Sequence, residues 1–299
     1  MAENSKIQWT HHTFNPWRGC ARVSPGCVHC YAETLSKRNP KTLGVWGVDG
    51  TRVIASPSMW QQPVKWDIAA QRAGERHRVF CASLADVGED RPDLVEPRKR
   101  LSDLIFRTPN LDWLLLTKRP ENMARLFDVG TLKRCWVGVT AENQEYADKR
   151  IPILLGIPSR VRFVSYEPAI GPVDFNRREL LCKTWNNGGG TIGTYLDWVI
   201  VGGESGGGAR PFDVQWARDV VRQCAETKTA CFVKQLGKWP SSETPIEGWR
   251  QLFNKGDYAT ATGWAPRSGG SGHGDTVDEW PLDLRVRQFP VVGHVHSVR

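Results

Sequence analysis

No apolar run in this 299-residue chain approaches the ~18–20 residues that a membrane-spanning helix needs. The opening stretch MAENSKIQWTHH also lacks the apolar core of a signal peptide, so the chain is expected to be cytoplasmic. With 29 glycines and 19 prolines, about a sixth of the residues, it falls short of the ~25–30% at which a sequence reads as low-complexity. Global disorder is excluded, and no internal repeat is visible. Acidic residues are in deficit, 32 against 40 Lys and Arg, for a formal charge of +8. A field of that size helps recruit polyanions without identifying one.

The cysteines lack the pattern of a disulfide framework. Of the eight, only Cys20, Cys27 and Cys30 are clustered. Cys81 in VFCAS, Cys135 in RCWVGV and Cys231 in ACFVKQ read as buried strand residues, and Cys224 as part of a helix face. A reducing compartment fits such usage, and there a close cysteine cluster points to metal or redox chemistry. The 14 tryptophans can stack on nucleobases, although most indoles in a soluble protein fill core.

Short apolar runs recur at roughly the 25–35-residue spacing of a βα unit. They are RVFCASLAD (78–86), LDWLLLTKRP (111–120), RCWVGVTAEN (134–143), RVRFVSYEP (160–168), LDWVIVGGES (196–205) and ACFVKQ (230–235). Helical patterns lie between them. Val214, Ala217, Val220, Val221 and Cys224 keep helical spacing behind a capping Asp213, and Leu94, Leu101, Leu104 and Ile105 form a weaker pattern interrupted by Pro97. Near-continuous hydrophobic strands alternating with helices imply a parallel sheet.

With an early strand around Lys6–Thr10, the expected fold is α/β, an incomplete (β/α) barrel of six or seven parallel strands. A doubly wound open sheet is the alternative. Residues 1–236 form the expected barrel, and 237–299 an irregular Gly/Trp/Arg-rich extension packed on it. NNGGG (186–190) and SGGSGHG (268–274) read as loops.

In either architecture the site lies at the carboxyl ends of the strands. Those ends carry Asp86, Thr117-Lys118-Arg119, Thr140 to Asn143, Tyr166-Glu167, Gly202 to Ser205 and Lys234-Gln235. Cys20, Cys27 and Cys30 stand in C-x6-C-x2-C spacing after the first strand. Three thiolates can belong to a zinc site completed by His29, His11 or His12, or to a [4Fe–4S] cluster with one open iron; spacing alone leaves both standing.

The stretches WTHHTFNPWRGCARVSPGCVHCYAE (9–33), LLLTKRPENM (114–123), WVGVTAEN (136–143), FVSYEPAIGPV (163–173), WVIVGGESGGGARP (198–211) and EWPLDLRVRQFP (279–290) resemble the radical S-adenosylmethionine superfamily. More closely, they resemble the phage gene-product 37/68 family, a radical-SAM-like domain of unassigned function. The resemblance implies a [4Fe–4S] cluster on Cys20, Cys27 and Cys30, S-adenosylmethionine bound at the open iron, and its reductive cleavage to start radical chemistry. Two departures stand out. The superfamily's first cysteine gap is usually three rather than six. Its GGE after the second strand has its nearest match at Gly202-Gly203-Glu204, several strands late.

Under this reading Ser83, Asp86, Thr117, Lys118, Thr140, Glu142 and Asn143 are candidates for binding the cosubstrate, and Glu167, Glu204 and Lys234 for acting on substrate. The bland alternatives are an ion pair between Lys118 and Glu142 and a helix cap at Thr140 or Asn143. Tyr31 is expected to pack. The expected substrate is a nucleobase, in DNA before RNA, with a flavodoxin or ferredoxin as electron donor. Charge, together with Lys118, Arg119, Arg210, Arg285 and Arg287, supports it. The competing readings are a zinc-stabilised non-catalytic nucleic-acid-binding protein and a radical SAM enzyme for a peptide or small metabolite. The segment DEWPLDLRVRQFP is expected to dock on the barrel as a strap with Trp280, Leu282, Leu284 and Phe289 buried, its arginines solvated or lining a groove.

Overall fold

The computed structural model describes residues 2–3, 5–177, 180–186, 191–241 and 277–292. Residues 187–190 within NNGGG, the stretch SGGSGHG and most of the expected C-terminal extension lie outside these residues. The chain divides into two compact units, one of residues 1–139 and 156–162, the other of 140–155 and 163–299.

In the first unit a two-residue strand β1 (Ala2–Glu3) runs antiparallel to β2 (His12–Thr13). The cysteine loop follows, with the short strand β3 (Trp17–Arg18) and the helices α1 (Tyr31–Arg38) and α2 (Pro40–Leu43). Strand β4 (Val53–Ile54) pairs with β3 and leads into α3 (Pro57–Trp60) and α4 (Gln62–Ala73). Then come β5 (His77–Cys81), α5 (Val95–Arg107), β6 (Leu111–Thr117), α6 (Pro120–Leu126), α7 (Val129–Arg134) and β7 (Trp136–Thr140). The sheet order is β1-β2-β5-β6-β7, with every pair after the first parallel.

The second unit holds α8 (Gln144–Leu155), β8 (Val161–Tyr166, from Phe163 onward), the hairpin β9 (Cys182–Asn186) and β10 (Thr191–Tyr195), β11 (Trp198–Gly202), β12 (Phe212–Asp213), α9 (Val214–Thr227), β13 (Ala230–Gln235) and β14 (Pro240–Ser241). Its sheet runs β8-β11-β13, all parallel. Counted over both units, seven parallel strands alternate with helices in the α/β half-barrel manner expected. Among the described residues no helix is long and apolar enough to cross a membrane.

The strands are near-continuous hydrophobic runs because both faces are covered: β7 and β11 are buried at every position. Helix α9 buries Val214, Ala217, Val220 and Cys224, and Asp213 caps it by accepting from the Gln215 amide at 2.8 Å. Pro97 sits in the first turn of α5, where no intrahelical amide bond is lost, so the helix runs through it. The first parallel strand lies later than Lys6–Thr10, because those residues close a turn in which the Thr10 amide donates to the Ile7 carbonyl at 3.1 Å. Trp9, Trp17, Trp60, Trp66, Trp113, Trp136, Trp198 and Trp280 are all buried, so these indoles fill core, each worth ~3–5 kcal/mol on truncation to Ala.

Residues 280–290 do form a strap on the second unit. Its backbone meets β13, with the Val233 amide donating to the Val286 carbonyl at 2.9 Å and the Gln288 amide to the Cys231 carbonyl at 2.8 Å. Trp280 and Leu284 are buried and Phe289 packs on Trp198 and Phe232, but Leu282 is exposed at 80%.

Candidate functional site

In the first unit, the loop after β2 is tied to the segment that follows β5. The Gly19 amide donates to the Leu84 carbonyl at 3.0 Å. Asn15 Oδ1 accepts from the Leu84 amide at 2.7 Å, and its Nδ2 donates to Ser83 Oγ at 3.1 Å. Tyr31 is half exposed rather than packed, and its hydroxyl donates to the Ser83 carbonyl at 2.6 Å. Between these anchors Pro25–Cys27 form a 3-10 turn, and Cys30 stands at the start of α1. Cys20, Cys27 and Cys30 are partly exposed, while Cys81, Cys135, Cys224 and Cys231 are buried.

Asp86 organises the ends of β5 and β6. Its carboxylate accepts from the Gly88 amide at 2.8 Å, from Thr117 Oγ1, from the Lys118 amide at 3.0 Å and from Arg119 Nη1 at 2.7 Å. The same Arg119 Nη1 donates to Cys20 Sγ at 3.8 Å, and Nη2 to the Ala21 carbonyl at 2.9 Å. Next to it Arg52, wholly buried, holds Glu89 through two bonds of 2.7 and 2.6 Å. Burial, reinforced by Asp86 and opposed by Arg119, pushes the Cys20 thiol up to about 12. Gly88 admits the close approach: a Cβ there would meet Thr117 Oγ1 and lie 2.8 Å from the Arg119 carbonyl. Arg119, Arg52 and Glu89 carry this network, yet no local spacing marks them; TKRP after an apolar run shows only a polar strand end.

In the second unit Glu167 and Lys234 meet. Lys234 Nζ donates to Glu167 Oε1, which also accepts from Gln235 Nε2 at 2.8 Å. Gly202 lets Glu167 lie over β11, since a Cβ would come within 3.1 Å of its side chain. Glu204 is gripped by Arg210 through Nε at 2.9 Å and Nη2 at 2.8 Å. Thr140 and Glu142 are buried, and Arg150 pairs with Glu142. Asn143 accepts from the Tyr146 amide at 3.1 Å and so caps α8.

Among the described residues no three His, Cys, Asp or Glu side chains are grouped to hold a single metal ion. A four-iron cluster is larger than an ion, and its thiolates stand farther apart. The donor set suits such a cluster: three partly exposed cysteines share one anchored loop, and a cation donates to the sulfur of Cys20. Of the histidines that could complete a zinc site, His11 and His12 belong to a different cluster, while His29 stands between Cys27 and Cys30 in the sequence. His11 Nδ1 accepts from the Arg78 amide at 2.8 Å, His12 Nε2 and His77 Nδ1 share a hydrogen bond of 3.0 Å, and His12 stacks on Trp66 at 4.4 Å.

The fold resembles that of a solved cysteine-to-serine variant of spore photoproduct lyase, at 15% identity and a TM-score of 0.37, over 65% of this chain and 71% of the other. No curated protein matches. Residues 4–281 match the family described as protein of unknown function (DUF5131), and the chain belongs to that family.

Proposed function

We propose that the chain is a radical S-adenosylmethionine enzyme that holds a [4Fe–4S] cluster through Cys20, Cys27 and Cys30. The observation that carries this reading is the contrast among the cysteines: three partly exposed ones share one anchored loop at the polar strand ends, and the four others with described side chains are core. When bound, such a cluster supplies an electron to the sulfonium of S-adenosylmethionine. Lys118, partly exposed after β6, is the cation for the cosubstrate carboxylate. Asp86 and Thr117 hold the Lys118 backbone in place, and Ser83 fixes the loop through Asn15 and Tyr31. Glu142 and Asn143 serve by shaping the turn from β7 into α8. Glu167, Lys234 and Glu204 orient substrate in the second unit, where Lys234 can pass a proton to or from Glu167 Oε1.

The substrate in this proposal is a nucleobase in a polynucleotide, supported by the charge of +8, and a small acidic redox protein delivers the electron. Of residues 237–299, those described are 237–241 and 277–292, and the strap at 280–290 packs on β13. Phosphate contacts are not assigned to Arg119, Arg210, Arg285 or Arg287, which are engaged within the chain.

The deciding experiment is anaerobic reconstitution. It should give about four irons per chain with broad visible absorption, lost in Cys20→Ala, Cys27→Ala and Cys30→Ala and kept in Cys81→Ser. Reduced with dithionite, the protein should then release 5′-deoxyadenosine from S-adenosylmethionine. Stoichiometric zinc without iron would overturn the reading. For the substrate, absence of DNA and RNA binding at low salt, with no deuterium passing from a labelled polynucleotide to 5′-deoxyadenosine, would return the choice to a peptide or metabolite.

A further inference from the structure

The Arg119 guanidinium bridges two groups 66 positions apart in the chain, Cys20 Sγ at 3.8 Å and Asp86 Oδ2 at 2.7 Å, through the same Nη1. Its other terminal nitrogen donates to the Ala21 carbonyl at 2.9 Å, next to that cysteine. The side chain is 10% exposed, and its own amide donates to Thr117 Oγ1 at 2.9 Å. Both ends of the residue are thus fixed, and it cannot swing away from the sulfur without breaking the contacts at Asp86. Of the three loop thiols, Cys20 is the one with a cation donating to its sulfur among the described contacts. The loop cysteines are therefore not equivalent.

From this we infer that Arg119 is a positioning residue that acts through Cys20 and sets the reduction potential of the iron–sulfur centre, with Asp86 as its counterweight. The inference rests on the cluster reading proposed above. Reduction adds one negative charge to a cluster. An N–H donor and a positive charge beside a ligating sulfur stabilise the reduced state more than the oxidised one and raise the potential. Asp86 works the other way: its carboxylate, 2.7 Å from the guanidinium, cancels part of that charge. The two residues form an opposed pair whose removal must shift the potential in opposite directions.

The experiment is a redox titration of anaerobically reconstituted full-length protein, followed by the electron paramagnetic resonance of the reduced cluster. Arg119→Gln should retain wild-type iron content and shift the midpoint to more negative potential. Arg119→Lys, which keeps the charge and loses the fork, should shift less. Asp86→Asn, which removes the nearer of the two carboxylates beside the guanidinium and leaves Glu89 at 3.8 Å, should shift it to more positive potential. A purely structural role would give lower iron content or stability in all three, without opposed signs. Protein with full iron and a midpoint unchanged in Arg119→Gln, or shifted the same way in Arg119→Gln and Asp86→Asn, overturns this inference and leaves the cluster reading intact. A wild-type chain that takes up no iron overturns both.

Discussion

Arg150 of α8 and Glu142 at the start of the β7–α8 turn form a buried ion pair. Arg150 Nη1 lies 2.7 Å from Glu142 Oε2 and also donates to the Thr140 carbonyl at 2.8 Å, with the Glu142 side chain wholly inaccessible. The pair pins the chain as it leaves β7, so Glu142 holds the turn in place.

Removing Arg150 takes a charged donor away from a carboxylate that is wholly buried. Arg150→Met should therefore lower stability by ~3–5 kcal/mol, measured by chemical denaturation of the apoprotein. Arg150→Met combined with Glu142→Gln should recover part of the loss, since the two residues couple. Additive losses would show that the two side chains do not interact.

A second prediction concerns acid. Burial, helped by Arg78 and His77, lowers His11 to about 4, against Glu75 and Asp112, which raise it; burial, with His77 and His11, lowers His12 to about 4. Both titrate at 6.5 without the fold. Between these values the unfolded chain binds more protons than the folded one, so stability is fully present above about 6.5 and is lost as pH falls toward about 4. The thermal midpoint should drop across that window. His12→Phe, which keeps the ring stacked on Trp66, should flatten the drop; an unchanged slope would remove His12 as its cause.

The sheet was largely legible because its strands are long apolar runs closing on polar residues, and α9 because its period and its Asp213 cap agree. The hairpin β9–β10 was missed, since NNGGG reads as a loop and the flanking residues carry no alternation. The polar strand ends were visible as residue types, but their pairings were not. Nothing local joins Arg119 to Cys20 or Arg52 to Glu89, 99 and 37 positions apart in the chain. Such pairings join loops and strand ends far apart in the chain, and one sequence does not display which of them meet.

A third prediction follows from Gly88. A Cβ there would press on Thr117 Oγ1 and the Arg119 carbonyl, a backbone that cannot yield without moving Arg119. Gly88→Ala should cost ~1–3 kcal/mol, the usual range for overpacking, and reduce iron uptake on reconstitution. Gly207→Ala is the control, as nothing lies within 4 Å of its Cβ position, and it should stay within ~0.5 kcal/mol of wild type. Equal melting midpoints for wild type and Gly88→Ala would mean the Asp86 network relaxes freely.

The last prediction separates strap from groove. Arg287 lies over the rings of Phe232 and Trp280 at 5.2 and 5.5 Å, and Arg285 donates to the carbonyls of Trp280 and Asp278 at 3.0 and 2.7 Å. Both guanidinium groups are therefore spent in holding residues 280–288 together and against β13. The strap also covers the backbone of β13, the last strand in the order of its sheet, which would otherwise offer an open edge for pairing. Arg287→Gln should cost ~0.5–2 kcal/mol through the lost cation–π contacts and raise the tendency to aggregate on heating. If the chain binds DNA, its affinity and salt dependence should be the same in Arg287→Gln as in wild type. A phosphate contact would instead weaken binding and flatten the log–log salt slope by roughly 0.7–0.9. Such a flattening with an unchanged melting midpoint would place Arg287 in the polynucleotide path and reverse the assignment; the opposite pair of results makes the strap a structural edge cover and sends the search for phosphate contacts to other basic residues.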